Sequence, residues 1–456
     1  MTAIRRNALT AGLVVACFLR AGPHAQEQPS GVLFENVRIF NGTSGQLSGP
    51  SHVLVVGNVI KAISSAPIVD PSGMTVVRIS GNGRTLMPGL SDMHWHTMLA
   101  RPSIPVMMSA EDGYINLLAG AEATDTLMRG FTTVRDVGGN SFSLKRAIDE
   151  GVVSGPRIYP SGAVISVTSG HGDFRMPFEV PRTSDRLTRT EQVGHSKIAD
   201  SPDEVRTRVR EQLMLGASQI KLTAGGGVSS PNSPLDVMTF TAEELRAAVE
   251  AAQNWGTYVT AHAFTPPAIE RSVANGVRCI EHALLMDETT ARLMSEKGIW
   301  LSIQPIPKEL GNAFPPGSVE RAKFDEVLAG MDKAYKLAKK YNLKTAWGTD
   351  VLFSQELAQR SGEILASLAR WYTPAEVLKM ATADNAQLLA LSGLRNPYPG
   401  KLGVVEEGAL ADLLLVDGNP LENLKLIEDP GRNFVVIMKD GKIYKNSLRP
   451  TLTSSR

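Results

Sequence analysis

The chain has 456 residues, 43% of them hydrophobic and 20% charged, with a formal net charge of +1. That length accommodates a barrel of roughly 250 residues and a second, smaller unit. The near-zero charge gives no general pull toward nucleic acid or an anionic membrane, and the 2 cysteines, Cys17 and Cys279, exclude a disulfide framework.

Residues 1–28 read as an export signal. Arg5 and Arg6 give a basic start, residues 8–19 a short apolar run, and small and polar residues follow. The run is too short to span a bilayer comfortably, and no other segment is long enough for a stable membrane span. The arginine pair resembles a twin-arginine signal, and Val14-Val-Ala-Cys17 a lipoprotein processing site. The expected location is periplasmic or secreted, with the route open.

Residues 29–85 alternate apolar and polar positions in short runs separated by Asn41-Gly42 and Gly57-Asn58 turns. The same texture returns over 400–450, where Lys439-Asp-Gly-Lys442 reads as a hairpin turn. The two ends are expected to pack into one small β-sandwich, divided in sequence by residues 86–399. In that central stretch strands alternate with helical periods, which argues for parallel βα units. Candidate strands cover 86–93, 132–137, 157–161, 219–224, 258–263, 279–284, 300–304 and 345–349. Among the helices, 203–215 carries Val205, Val209 and Leu213 on one stripe behind Ser201 or Asp203 as cap, and 241–254 opens on a Thr241-Ala-Glu-Glu244 capping box. Eight such units close naturally into a (β/α)8 barrel, an α/β fold whose active site forms at the C-terminal strand ends. The polar insertion 173–200 follows the third strand, in the position of a lid.

Chemistry-bearing residues gather at those strand ends. His94 and His96 end the first strand, His262 the fifth, His282 the sixth and Asp350 the eighth. Alternate residues of a strand face one side, so His94 and His96 can reach one ion, and imidazole with carboxylate suits zinc and similar metals. A His-x-His pair alone is a weak signal, and Gly-Thr-Asp is a common turn. The convergence of separate elements carries the reading, since 4 of the 8 histidines fall at these positions. Lys221 lies inside the fourth strand, between Ile220 and Leu222, where an ammonium is costly to bury unless it is paired or chemically altered. The plain alternative is an edge strand with Lys221 in water. Arg135 and Asp136 end the second strand and either line the site or form an internal ion pair. His24, His52 and His195 are assigned no functional role. No Gly-x-Ser-x-Gly elbow, Walker loop or dinucleotide fingerprint appears.

Leu86-Met-Pro-Gly-Leu-Ser-Asp-Met-His-Trp-His96, Gly130-Phe-Thr-Thr-Val-Arg-Asp-Val-Gly-Gly139 and Gly408-Ala-Leu-Ala-Asp-Leu-Leu-Leu-Val416 resemble signatures of the amidohydrolase superfamily. Ser169-Gly-His-Gly-Asp173, and Lys221 with Gly226-Gly-Val-Ser-Ser-Pro231, are similar to its dinuclear prolidase-type branch of Xaa-Pro dipeptidases, carboxypeptidases and ochratoxin-hydrolysing amidases. The resemblance implies a C–N hydrolase with two divalent metal ions, expected to be zinc. It implies that carbon dioxide or bicarbonate converts Lys221 to a carboxylated lysine shared by both ions. By the same resemblance His94, His96 and Asp350 hold one ion, His262 and His282 the other, and Asp350 shuttles the proton. His171, between Gly170 and Gly172, is then a substrate contact that stabilises the oxyanion. The implied substrate is a dipeptide or N-acyl amino acid with a carboxylate, and homo-oligomerisation is left open. Phe264 departs from the branch, which often has tyrosine there; a phenyl ring donates no hydrogen bond, which suits a hydrophobic, aromatic leaving group better than strict Xaa-Pro specificity. The rival readings are a mononuclear deaminase or cyclic-amide hydrolase of the imidazolonepropionase kind, which needs no bridging lysine, and a catalytically inactive scaffold of the same fold.

Overall fold

The N-terminal alternation folds into β1 (Ser30–Ile39), β2 (Ser51–Val56), β3 (Val59–Ser64), β4 (Thr75–Ser80) and β5 (Thr85–Pro88) in the computed structural model. The structure describes residues 30–175, 177–180 and 187–448. The candidate export signal, Cys17 and His24 lie outside the described residues, as do parts of the 173–200 insertion. The central stretch supplies β6 (Leu90–Trp95), β7 (Phe131–Asp136), β8 (Arg157–Pro160), β9 (Val164–Ser166), β10 (Ser196–Ile198), β11 (Ile220–Thr223), β12 (Val259–Ala263), β13 (Cys279–His282), β14 (Trp300–Ile303) and β15 (Lys344–Trp347). β16 (Leu413–Val416), β17 (Phe434–Lys439) and β18 (Lys442–Asn446) complete the chain.

Strands from both ends of the described residues enter one eight-stranded sheet, ordered β18-β17-β16-β5-β1-β2-β3 with β4 beside β1. The seam between them is the antiparallel pairing of β5 with β16. The central strands form two parallel sheets, β6-β7-β8 and β10-β9-β11-β12-β13-β14-β15. The fold is therefore a mixed α/β arrangement.

Two of the expected strands are divided. The strand predicted over 86–93 breaks at Gly89, so β5 joins the mixed sheet and β6 starts the parallel set. A Cβ at Gly89 would lie 2.1 Å from Thr132 Oγ1, so only glycine lets the chain cross between sheets there. The strand predicted over 157–161 stops at Pro160 and resumes as β9; β8 pairs with β7, whereas β9 pairs with β11. Part of the insertion is built into the parallel sheet. Its C-terminal part contains β10, which pairs in parallel with β9, and a capped turn of helix over Arg189–Gln192.

The predicted helices form where their caps and stripes put them. Helix Pro202–Leu215 starts at Ser201, whose side chain accepts from Glu204 N, and it buries Val205, Val209 and Leu213. Helix Ala242–Asn254 has the complete Thr241–Glu244 capping box. The main core joins the parallel strands to the C-terminal sheet: Phe131 stacks on Trp347 with centroids 5.8 Å apart, and Leu414 and Phe434 belong to the same cluster. Arg157 reinforces this junction with a bidentate pair to Asp412 at 2.9 and 3.1 Å. Among the described residues no helix is long and apolar enough to cross a membrane.

Candidate active site

The strand-end residues do meet. His94 Nε2 and His96 Nε2 each lie 3.3 Å from Asp350 Oδ1, and His282 Nδ1 lies 3.8 Å from Asp350 Oδ2. His94, His282 and Asp350 offer ligand atoms within 4.8 Å of one another. His262 packs edge-on to His282, with ring centroids 4.5 Å apart, and His171 lies 4.3 Å from His262. Lys221 is 3% exposed, so the edge-strand alternative is excluded. Its Nζ lies 3.5 Å from His94 Nε2.

The strand ends are bent to achieve this. His282 and Ala283 have φ of 73° and 50°, and Asp350 has φ of 53°, a region that non-glycine residues seldom occupy. Such strain persists only where the surroundings over-determine it. Asp350 N donates to His94 O at 2.8 Å, tying the end of β15 to the end of β6.

The partners of the ring nitrogens aim each imidazole. His94 Nδ1 is held by Glu281 Oε2 at 2.8 Å, His96 Nδ1 by Gly138 O at 3.1 Å, His282 Nδ1 by Gln304 Oε1 at 2.7 Å and His262 Nε2 by Gly226 O at 2.9 Å. Each therefore keeps its other nitrogen for the centre, the arrangement that orients imidazole ligands. Burial, with the charge of Lys221 adding to it, lowers the pKa of His94 to about 4 and of His171 to about 3. Burial likewise holds His262 and His282 well below the usual histidine range. Burial also lowers Lys221, favouring its neutral amine. Burial pushes Asp350 up, but His94, His96 and His282 outweigh it and keep the carboxylate ionised. Neutral imidazoles around an ionised carboxylate are the donor set that zinc and related ions take.

Three supporting acids escaped the sequence reading in whole or part. Glu281, fully buried, accepts from His94, from Arg135 Nη2 at 2.5 Å and from Thr260 Oγ1. Burial alone would raise its pKa; Arg135 and His94 instead depress it well below the carboxylate range. Asp92 accepts from His94 N at 3.0 Å and from Thr349 Oγ1 at 2.7 Å, and burial raises it to about 7. Asp136 accepts from Thr97 N and Gly138 N. Arg135 is 0% exposed and donates to Met93 O, Tyr258 and Glu281. That corrects its expected role as a substrate contact: it lies beneath the site, and its ion pair is with Glu281, not Asp136.

Above these residues opens a cavity of about 520 Å³, large enough for a small organic ligand. His171 and Phe264 line it, as do Met107, Phe174, Leu310 and Phe314. Phe264 stands edge-on to His262 at 4.8 Å. The insertion contributes Phe174, Thr190, His195 and Ser196 to the wall. His195, assigned no role from sequence, is thus a wall residue; among the described residues neither ring nitrogen has a hydrogen-bond partner, and burial lowers its pKa to about 4. His52 stays in β2, away from the site.

The fold and this site define the class. The amidohydrolase family profile matches residues 85–444, and the chain belongs to that family, as a hydrolase of carbon–nitrogen bonds in its prolidase-type branch. Ochratoxinase of Aspergillus niger is 32% identical over 389 residues, which cover 79% of this chain and 75% of that protein. A prolidase crystallised with N-methylphosphonate-L-proline superposes with a TM-score of 0.83 at 32% identity, covering 91% of this chain and 100% of that one. A Xaa-Pro dipeptidase with bound methionine superposes with a TM-score of 0.78 at 30% identity, over 91% of this chain and 100% of that one.

Proposed function

We propose that the protein hydrolyses an amide or peptide bond next to a carboxylate, with two divalent metal ions, zinc being the expected metal. The observation that carries this reading is Lys221, buried 3.5 Å from His94 Nε2 among four histidines and Asp350. Among the described residues no carboxylate is hydrogen-bonded to its Nζ, which leaves a buried ammonium poorly compensated. Carboxylation removes that cost. The neutral amine adds to the carbon of carbon dioxide, loses a proton and becomes an anionic ligand.

His94, His96 and Asp350 would hold one ion and His262 and His282 the other, with carboxylated Lys221 shared. When bound, the ions polarise the scissile carbonyl and make a water nucleophilic at neutral pH. Asp350, kept ionised by its histidine neighbours, accepts the proton of that water and passes it to the leaving amine. His171 donates to the carbonyl oxygen as charge builds there.

The two parallel sheets would be arcs of one (β/α)8 barrel over 86–399, and the eight-stranded sheet the small β-sandwich of 29–85 and 400–450. Hydrogen bonds across the seams support it: Ser218 N to Pro160 O at 2.7 Å, and Thr349 Oγ1 to Asp92 at 2.7 Å. The basic and apolar pattern of residues 1–28 supports export, which cell fractionation of the expressed protein checks.

The apolar wall and Phe264 favour an N-acyl or N-aroyl amino acid with a hydrophobic side chain over a plain Xaa-Pro dipeptide. The similarity to ochratoxinase supports the same choice. Among the described lining residues Arg360 is the one guanidinium, and its pairing with Glu363 is half-exposed and weak, so it is available to the substrate carboxylate. A panel of Xaa-Pro dipeptides, N-acyl amino acids and N-aroyl phenylalanines tests this reading. Highest kcat/KM is expected on N-aroyl phenylalanines; turnover confined to Xaa-Pro dipeptides would overturn the role given to Phe264.

A further inference from the structure

The glycine-rich turn after β11 is pressed against His171. A Cβ at Gly227 would lie 2.0 Å from His171 Nδ1, so the loop backbone approaches the ring as only glycine allows. Three residues on, Ser230 is fully buried, and its Oγ lies 3.0 Å from His171 Nδ1. The same Oγ accepts from Gly172 N at 3.0 Å. Lys323, on helix Val319–Lys340, fixes this turn from below. Its ammonium donates to Gly227 O at 2.9 Å, Ser230 O at 2.7 Å and Ser233 O at 3.2 Å, using all its donors on backbone carbonyls.

The hydrogen-bond inventory then decides the tautomer of His171. A hydroxyl has one proton to give. Gly172 N can only donate, so it occupies a lone pair of Ser230 Oγ. Among the described residues the one acceptor within reach of the Ser230 proton is His171 Nδ1. If Nδ1 carried a hydrogen, Ser230 would receive two donors and its own buried proton would have no partner, which is unfavourable. We infer that Ser230, clamped by Lys323, is a positioning residue that holds His171 as the Nε2–H tautomer and presents that N–H to the cavity. His171 would then act as a hydrogen-bond donor to the reacting carbonyl and not as a base. The inference rests on the role proposed for His171, but its structural half is measurable without turnover.

The test is nitrogen NMR of the metal-free, histidine-labelled full chain, with the His171 signals assigned from His171→Gln, beside kinetics of Ser230→Ala and Ser230→Thr. The wild-type protein is expected to show an unprotonated Nδ1 and a protonated Nε2. Ser230→Ala should mix the tautomers and lower kcat about tenfold with KM nearly unchanged, the loss of one neutral hydrogen bond; Ser230→Thr should restore both. A wild-type Nδ1–H signal overturns the inference even if no variant folds. An unchanged His171 signal in folded Ser230→Ala overturns it too. Failure of the amide-hydrolase reading would instead appear as absence of turnover with the tautomer as described.

Discussion

Glu281 shows what one buried side chain does for this centre. It neutralises Arg135 at 2.5 Å and aims His94 through a 2.8 Å hydrogen bond, so one carboxylate answers to two partners. Glu281→Gln should weaken metal binding by about 10–100-fold, the usual effect of losing a partner that orients a ligand. It also leaves Arg135 buried without a counter-charge, which costs about 3–5 kcal/mol of unfolding free energy. Metal titration with a competing chelator and urea unfolding check the two halves separately; unchanged affinity would remove Glu281 from the centre's design. At the cavity mouth, Arg360→Gln should raise KM about tenfold for carboxylate substrates and leave the corresponding amides unaffected, consistent with the loss of a charged hydrogen bond. Equal effects on acid and amide would exclude Arg360 as the carboxylate site. The histidines and Asp350 were legible in the sequence because each ends an apolar strand. Glu281 was not, because strand alternation sets it and His282 on opposite faces. The positive φ at His282 turns that histidine back toward the centre, and no residue pattern announces it.

Among the elements, strand existence and order followed from the apolar runs, and the breaks within them did not. Gly89 reads as part of a Pro-Gly turn only once Thr132 is known to stand 2.1 Å from where its Cβ would lie. The break between β8 and β9 depends on pairing with two different neighbours, information that is not local. β10 is 3 residues long, too short for alternation to reveal it inside a polar insertion. The Arg157 pair with Asp412 joins β8 to the start of β16, across 255 residues of sequence. Arg157→Met should cost about 3 kcal/mol by leaving Asp412 buried and unpaired. Thermal or urea unfolding measures that loss, while kcat of the folded fraction stays near wild type. A large fall in kcat at full folding would mean that the junction between sheets reaches the site itself.

At the scale of the whole molecule, the chain ends form a sheet that braces the parallel strands from one side, and the cavity opens over their C-terminal ends. Burial does most of the electrostatic work: it lowers the pKa values of His94, His171, His262, His282 and Lys221, while the neighbouring histidines hold Asp350 below the usual carboxylate range. Lys221 is the buried cation at the middle of the centre. The measurement that tests it most directly is metal stoichiometry with amide hydrolysis, on protein purified with zinc and bicarbonate, beside Lys221→Ala. About two ions per chain are expected in the wild type, with one ion and the hydrolysis lost in the variant. About one ion in both proteins, with activity intact in Lys221→Ala, would contradict the shared carboxylated lysine and favour a mononuclear centre.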